Sequence, residues 1–202
     1  LPVDRAFTMK GFGTVVTGTL VQGRLAADDE LVLLPAGRRV KVRGLHVHGG
    51  ARDRASAGER VAANLAAIDV AEVARGSVLA TPEAFAVTRR ADVSVSLLSG
   101  ATLKHGARVR VHQGTAELMA RVSVAGEVGL VVPGGPANVR LRFEAPALLA
   151  RRDRLILRSY SPPVTIGGAV VLDPLPPRPG VRTPRGVARM AALAIAGDVA
   201  MD

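Results

Sequence analysis

Asp4-Arg5-Ala6-Phe7-Thr8-Met9-Lys10-Gly11-Phe12-Gly13-Thr14-Val15-Val16-Thr17-Gly18-Thr19-Leu20 is the stretch that decides how this chain is read. A Gly-x-Gly turn, whose glycines reach positive φ without steric cost, is followed by a run of β-branched residues, and the combination predicts a β-hairpin. A phosphate-binding loop is the competing reading and fails on composition. The dinucleotide fingerprint needs a third glycine where Val16 stands, and a Walker A loop needs Gly-Lys followed by Ser or Thr, a sequence found nowhere in the chain.

Outward from the hairpin, the same period of two recurs. Ala91, Val93, Val95 and Leu97 interleave with Asp92, Ser94 and Ser96, which predicts a half-buried strand. Ala116 to Val124 and Ala137 to Phe143 repeat the pattern, the latter with Asn138, Arg140 and Arg142 on the polar face. Val40 and Val42 alternate with Lys41 and Arg43, and then Gly44 shifts the parity so that Leu45 and Val47 continue the apolar face. A bulge at Gly44 accounts for that shift. Turn residues at Pro35-Ala36-Gly37, Ser56-Ala57-Gly58, Ser99-Gly100, Gly126 and Pro133-Gly134-Gly135 space the strands as in a small barrel.

Two such sets of strands meet near Thr81-Pro82-Glu83, so the expected organisation is all-β, with one barrel over residues 1–82 and a second over 86–174. Pro174, Pro176, Pro177, Pro179 and Pro184 then punctuate a stretch without the N–H groups a ladder requires, which predicts a proline-rich linker within 175–202. Met190, Leu193 and Ile195 favour a helix beyond it. With so little chain after it, that helix is expected to lack packing partners and to be the first helix of a further, truncated domain.

Composition narrows the function classes. The absence of cysteine excludes disulfides, thiolate metal sites and a cysteine nucleophile, and is compatible with the cytoplasm. No apolar run approaches the roughly 20 residues of a membrane-crossing helix, so no membrane partner is expected. A net charge of +10 points to a polyanion, although nearly all the basic residues are Arg and part of that excess reflects compositional bias. Aromatic residues at 2% argue against a reader that stacks bases. No serine, histidine and carboxylate fall into a hydrolytic signature. His46 and His48 share a strand face but have no evident third ligand, so no metal site is expected.

The opening hairpin, with Asp4-Arg5 and Gly11-Phe12-Gly13-Thr14-Val15-Val16-Thr17-Gly18, resembles the second domain of translational GTPases, and within them the selenocysteine-specific elongation factors. Val42-Arg43-Gly44-Leu45-His46, Ala57-Gly58-Glu59-Arg60-Val61-Ala62-Ala63-Asn64-Leu65 and Arg75-Gly76-Ser77-Val78-Leu79-Ala80 extend the match. A weaker likeness runs to Thr165-Ile166-Gly167-Gly168-Ala169-Val170-Val171-Leu172-Asp173-Pro174. The resemblance implies two elongation factor Tu-like β-barrels, followed by a linker and the start of a winged-helix domain. It implies that GTP and Mg belong to a domain preceding Leu1, since the phosphate loop, the Asp-x-x-Gly switch and Asn-Lys-x-Asp are absent here. This chain is then not expected to hydrolyse GTP alone.

By the same resemblance the partners are selenocysteinyl-tRNA, the ribosome and, through domains after Asp202, the messenger hairpin that recodes UGA, with the protein a monomer. Asp4, Arg5 and Arg60 would surround the aminoacyl end. A selenol is more acidic than a thiol and largely ionised near neutral pH, whereas the serine hydroxyl of the precursor is neutral. Two guanidinium groups would favour the anion, and Asp4 could orient one of them bidentately. Arg89, Arg90, Arg140 and Arg142 are the candidates for contact with the tRNA backbone on the second barrel. Two alternatives stay open: the barrels of another translational GTPase or of a sulfate-adenylyltransferase-type GTPase subunit, and a structural, protein-binding barrel pair.

Overall fold

The computed structural model describes residues 1–178 and 180–198. The chain forms two compact units, one built on Leu1–Ala86 and the other on Val87–Gln113 and Glu117 onward.

The first unit contains β1 (Arg5–Met9), β2 (Gly13–Thr19), β3 (Arg24–Ala26), β4 (Glu30–Leu34), β5 (Arg38–Val47), β6 (Gly50–Arg52), β7 (Arg54–Ser56), β8 (Arg60–Ala66) and β9 (Val78–Ala80). The opening stretch forms the hairpin β1–β2, with Gly11 and Gly13 at φ of +83° and +85°. This geometry also disposes of the phosphate-loop reading, because the turn leads into a strand and not into a helix N-terminus with N–H groups to spare. The main sheet runs β1-β2-β8-β5-β4-β9, with β6 on β5, and β3 pairs β7 beside it. Pro2 bridges Val78, and Val3 N–H donates to Ser77 O, so the two ends of the sheet meet. The crossing is close: a Cβ on Gly18 would lie 2.0 Å from the Pro2 carbonyl oxygen, which leaves glycine as the residue that fits.

Alternation fills this unit's core with Val16, Leu33, Val42, Leu45, Val61 and Leu65, all essentially removed from water. Each such burial is worth about 1.5–3 kcal/mol. The parity shift at Gly44 is a bulge: Val42 faces Leu65 and Gly44 faces Asn64, leaving Arg43 as the extra residue on β5.

The second unit contains β10 (Val87–Leu97), β11 (Leu103–Lys104), β12 (Arg108–Gln113), β13 (Ala116–Val124), β14 (Leu130–Val131), β15 (Ala137–Leu148), β16 (Arg154–Ser159), β17 (Thr165–Asp173) and α1 (Pro184–Asp198). Six of its strands close a barrel in the order β10-β15-β13-β12-β16-β17. Its interior is built from Ala91, Val93, Val95, Val122, Val139 and Leu141, the inward set that the alternation predicts. The fold is thus mostly β with one described helix, as expected from the sequence.

The tail corrects one expectation. α1 has partners: Met190 is fully buried, and Arg189 pairs with Asp92 on β10 and with Asp173 at the end of β17. The proline stretch is pinned as well, because Arg140 on β15 donates to the carbonyl oxygens of Pro177 and Arg178 at 2.8 and 3.0 Å. A segment that cannot join a ladder can still accept hydrogen bonds through its carbonyls, and counting donors alone misses this. Pro179 and residues 199–202 of the expected tail lie outside the described residues.

Candidate functional site

Asp4 lies just before β1, and Arg60 opens β8 on the far side of β2. The two meet in a bidentate pair, with Arg60 Nη1 donating to Asp4 Oδ2 at 2.6 Å and Nη2 to Oδ1 at 3.1 Å. Thr17 on β2 donates its hydroxyl to the same Oδ1 at 2.6 Å. The Arg60 hydrogen bonds hold the Asp4 carboxyl below its ordinary range, opposed by partial desolvation and reinforced by Thr17 and by the charge of Arg5. The carboxylate is therefore fixed by three donors and cannot wander toward a ligand.

Two of the five N–H groups of Arg60 are engaged by Asp4, so its guanidinium still presents donors to a ligand. Arg60 is exposed, as is Arg5, whose side chain makes no hydrogen bond or ion pair among the described residues. The pair Asp4–Arg60 is electrically neutral, so Arg5 gives the cluster its net positive charge.

A cavity of about 260 Å³ adjoins the pair, lined by Thr17, His46, His48, Arg60, Val61 and Ala62. Register explains it. Arg5 faces Thr17, Thr17 faces Ala62, and Ala62 faces His46, so one row crosses β1, β2, β8 and β5 on the outward side. Adjacent strands stand about 4.8 Å apart, and the methyl of Ala62 leaves room between the longer side chains on either side. The sequence brought Asp4, Arg5 and Arg60 forward; Thr17, His46 and His48 were not assigned to this site. The signal for Thr17 is its position opposite Arg5 across a hairpin whose turn was recognised. The two histidines stand apart structurally, for His46 is on β5 and His48 sits in the following turn at φ +52°. Among the described residues no group of three metal-ligating side chains occurs.

The second unit separates the four arginines named there. Arg140 does not reach solvent: its side chain is 3% exposed and doubly bonded to Asp92, at 2.7 and 3.1 Å. It is a structural residue, and its assignment to a nucleic-acid backbone is withdrawn. Its position on the polar face of β15 was read correctly, but the covering of that face by the tail was invisible in the alternation. Arg142 is exposed and lies directly opposite Arg90 on β10 and Arg121 on β13. Three guanidiniums thus stand side by side across three strands, an arrangement that costs stability in a sheet unless an anion relieves it. Arg89 is exposed and donates to the carbonyl oxygen of Glu144 at 2.9 Å.

Comparison with known proteins agrees with this architecture. Residues 13–80 match the model of elongation factor Tu domain 2, and residues 90–178 match that of the beta-barrel domain of selenocysteine-specific elongation factor. The chain is 45% identical over 177 residues to a selenocysteine-specific elongation factor of Desulfomicrobium baculatum, covering 87% of this chain and 28% of that protein. It is 36% identical to the one of Escherichia coli (strain K12), over 96% of this chain and 30% of that protein. A crystal structure of bacterial selenocysteine-specific elongation factor EF-Sec superposes with a TM-score of 0.80 at 27% identity, over 96% of this chain and 32% of that one. The chain therefore spans less than a third of the length of these relatives.

Proposed function

Because the chain belongs, through both of its barrels, to the selenocysteine-specific elongation factor family, we propose that it holds selenocysteinyl-tRNA for delivery to the ribosome at recoded UGA codons. The observation that carries this reading is the cluster of Asp4, Thr17, Arg60 and Arg5 beside a cavity of about 260 Å³, roomy enough for an aminoacyl side chain. Asp4 and Thr17 position Arg60, Arg60 offers directional N–H donors, and Arg5 supplies uncompensated positive charge. A selenolate gains from both arginines, whereas the neutral hydroxyl of seryl-tRNA gains only hydrogen bonding. An ion contact at about 4 Å is worth very roughly 1 kcal/mol in water and up to about 4 at a surface-like effective dielectric. Discrimination of about five- to several-hundredfold is within that range.

The row Arg90–Arg142–Arg121 supports backbone contact on the second barrel, where A-form RNA is gripped by its phosphates. GTP binding and hydrolysis, Mg and the messenger hairpin fall to other parts of a longer cytoplasmic protein, which acts as a monomer. The sequence holds no Gly-Lys-Ser/Thr loop to cradle the phosphates of a nucleoside triphosphate. Among the described residues no helix is long and apolar enough to cross a membrane.

Affinities of selenocysteinyl- and seryl-tRNA for the full-length factor and for its Arg5→Ala and Arg60→Ala variants test the proposal. Selenocysteinyl-tRNA should lose far more affinity than seryl-tRNA, with Arg5→Ala losing the charge preference most completely. Equal losses for the two tRNAs would overturn the selenolate reading and leave these arginines as RNA-backbone contacts.

A further inference from the structure

We infer that the segment after β17 is a latch that RNA tightens. Docked on the second barrel, it adds Arg178 to the arginine row Arg90–Arg142–Arg121, so that docking of the tail and binding of an RNA backbone strengthen each other. This inference rests on the tRNA-binding reading above and adds to it a residue and a coupling that the reading does not contain.

The row and the latch are neighbours on one face. Side chains two apart on a strand share a face, so Asp92 follows Arg90 on β10 and Arg140 precedes Arg142 on β15, each about 7 Å along the strand. Register sets Asp92, Arg140 and Ser123 in the row beside Arg90, Arg142 and Arg121. The tail covers the first of these rows and leaves the second open. Arg140 Nη1 donates to the Arg178 carbonyl oxygen at 3.0 Å, which fixes the Arg178 backbone beside β15. The Arg178 side chain is exposed and makes no hydrogen bond or ion pair among the described residues. Further along, Arg182 Nε donates to the Gly126 carbonyl oxygen at 3.1 Å, just past the end of β13, and Arg189 returns to Asp92 on β10 at 2.8 Å.

Few contacts hold this cover, and charge opposes it. Its anchors are Met190 and Val181, both buried, and Arg189 between Asp92 and Asp173. Within the latch the charges cancel, Asp92 and Asp173 against Arg140 and Arg189. Outside it the tail keeps Arg178, Arg182 and Arg185, all exposed, and the adjoining row keeps Arg90, Arg142 and Arg121. Like charges brought together work against docking. An RNA backbone on the row removes that opposition. Its phosphates gain Arg178 only when the tail is docked, and the tail docks against less repulsion when phosphates are present. Two equilibria linked in this way shift each other by one and the same factor.

The test titrates labelled tRNA against the chain and three variants, Arg178→Ala, Met190→Ser and the two combined, at several salt concentrations. Met190→Ser removes the apolar anchor and changes no charge, yet it should lower the slope of log K against log salt by just under one, the share of one duplex phosphate contact. The wild type's advantage should accordingly shrink about 3.5-fold between 50 and 200 mM salt. Arg178→Ala, which leaves the carbonyl that Arg140 holds, should lower the slope equally. The combined variant should lose no more than either alone, since the same contact is lost once. Hydrogen exchange reads the reverse direction: saturating tRNA should slow exchange in α1 by the factor of affinity that Met190→Ser loses, and most of that slowing should vanish in Arg178→Ala. An unchanged slope in Arg178→Ala overturns the inference, as do additive losses in the combined variant or an opened α1 with undiminished slope in Met190→Ser. Should α1 stay docked in Met190→Ser, or the barrel unfold, Arg178→Ala decides alone. Arg142→Gln is the control. If it too leaves the slope intact, the row does not touch RNA, and the backbone reading fails together with this inference.

Discussion

Replacing Asp92 by Ala should damage the second unit more than any comparable surface change. The Asp92 carboxylate is fully buried, and it accepts from Arg140 Nε at 2.7 Å, Arg140 Nη2 at 3.1 Å and Arg189 Nη1 at 2.8 Å. Without it the Arg140 guanidinium stays buried with only the Pro177 and Arg178 carbonyls as partners. Stranding one member of a buried pair costs about 3–5 kcal/mol, a large part of the roughly 5–15 kcal/mol by which a domain is stable. At about 4 °C per kcal/mol the unit's midpoint should fall by roughly 12–20 °C. Arg189→Ala is a milder change, because the Arg189 side chain is 31% exposed and Asp92 keeps both bonds to Arg140; it should cost about 1–2 kcal/mol. The assay is built in. Tyr160 is the only tyrosine, it belongs to this unit, and Arg108 stacks 4.4 Å from its ring centroid. With no tryptophan present, tyrosine fluorescence follows the second barrel during denaturation. A double replacement, Asp92→Leu with Arg140→Met, should recover most of the loss, since apolar isosteres often substitute for a buried pair without net cost. An Asp92→Ala protein within about 1 kcal/mol of wild type would refute the reasoning, and so would an Arg189→Ala variant equally destabilised.

Truncation after Asp173 removes Arg189, Met190 and both carbonyl acceptors of Arg140, so the tyrosine-monitored midpoint should drop further than in Arg189→Ala; equal midpoints would mean that the tail only rests on the barrel. Arg142→Gln relieves the like-charged row Arg90–Arg142–Arg121 and should raise the stability of the second unit by a few tenths of a kcal/mol while weakening tRNA binding and lowering the salt slope by just under one; loss of stability without loss of affinity would show a structural role. The Asp4–Arg60 pair should persist across neutral and mildly acidic pH. A carboxyl whose folded pKa is depressed contributes stability above its unfolded value and loses it only as pH falls through the lower folded value. Discrimination against seryl-tRNA that fades at mildly acidic pH should therefore follow ionisation of the selenol, and in Asp4→Asn the same pH profile should survive with lower overall selectivity.

What could be read from the sequence follows the range of the interactions involved. Periodicity reports which face of a strand is buried, and it yielded β10, β13, β15 and the bulge on β5, since inside and outside are decided residue by residue. Motif resemblance reached Asp4, Arg5 and Arg60, and left open which arginine Asp4 would orient; the structure pairs it bidentately with Arg60. What failed depended on contacts far apart in the chain. Arg140 and Arg142 are indistinguishable in an alternating pattern. One is buried because Asp92 faces it and residues 37 and 38 positions later cover it, and the other lies open two residues further along the strand. Thr17 and His46 belong to the site through register across β2, β8 and β5, which no local pattern states.

The same distinction bears on the net charge of +10, which as a bulk number says only that a polyanion is welcome. Arg38, Arg60, Arg108, Arg110, Arg140 and Arg189 are each tied to a carboxylate, so their charge is largely spent within the protein. Other basic residues have no carboxylate partner among the described residues, and some of them stand close together. Arg5 adjoins the small cavity, Arg43, Arg52 and Arg54 surround a larger cleft, and Arg90, Arg121 and Arg142 stand in one row of the second barrel. Neighbouring like charges gain nothing for folding, and a sheet selected for stability alone would alternate them with acids. Such groupings are where an anionic ligand would relieve the repulsion. On the proposed tRNA-binding reading, Arg5 beside the small cavity would serve the aminoacyl end and the row Arg90–Arg142–Arg121 would serve the RNA backbone.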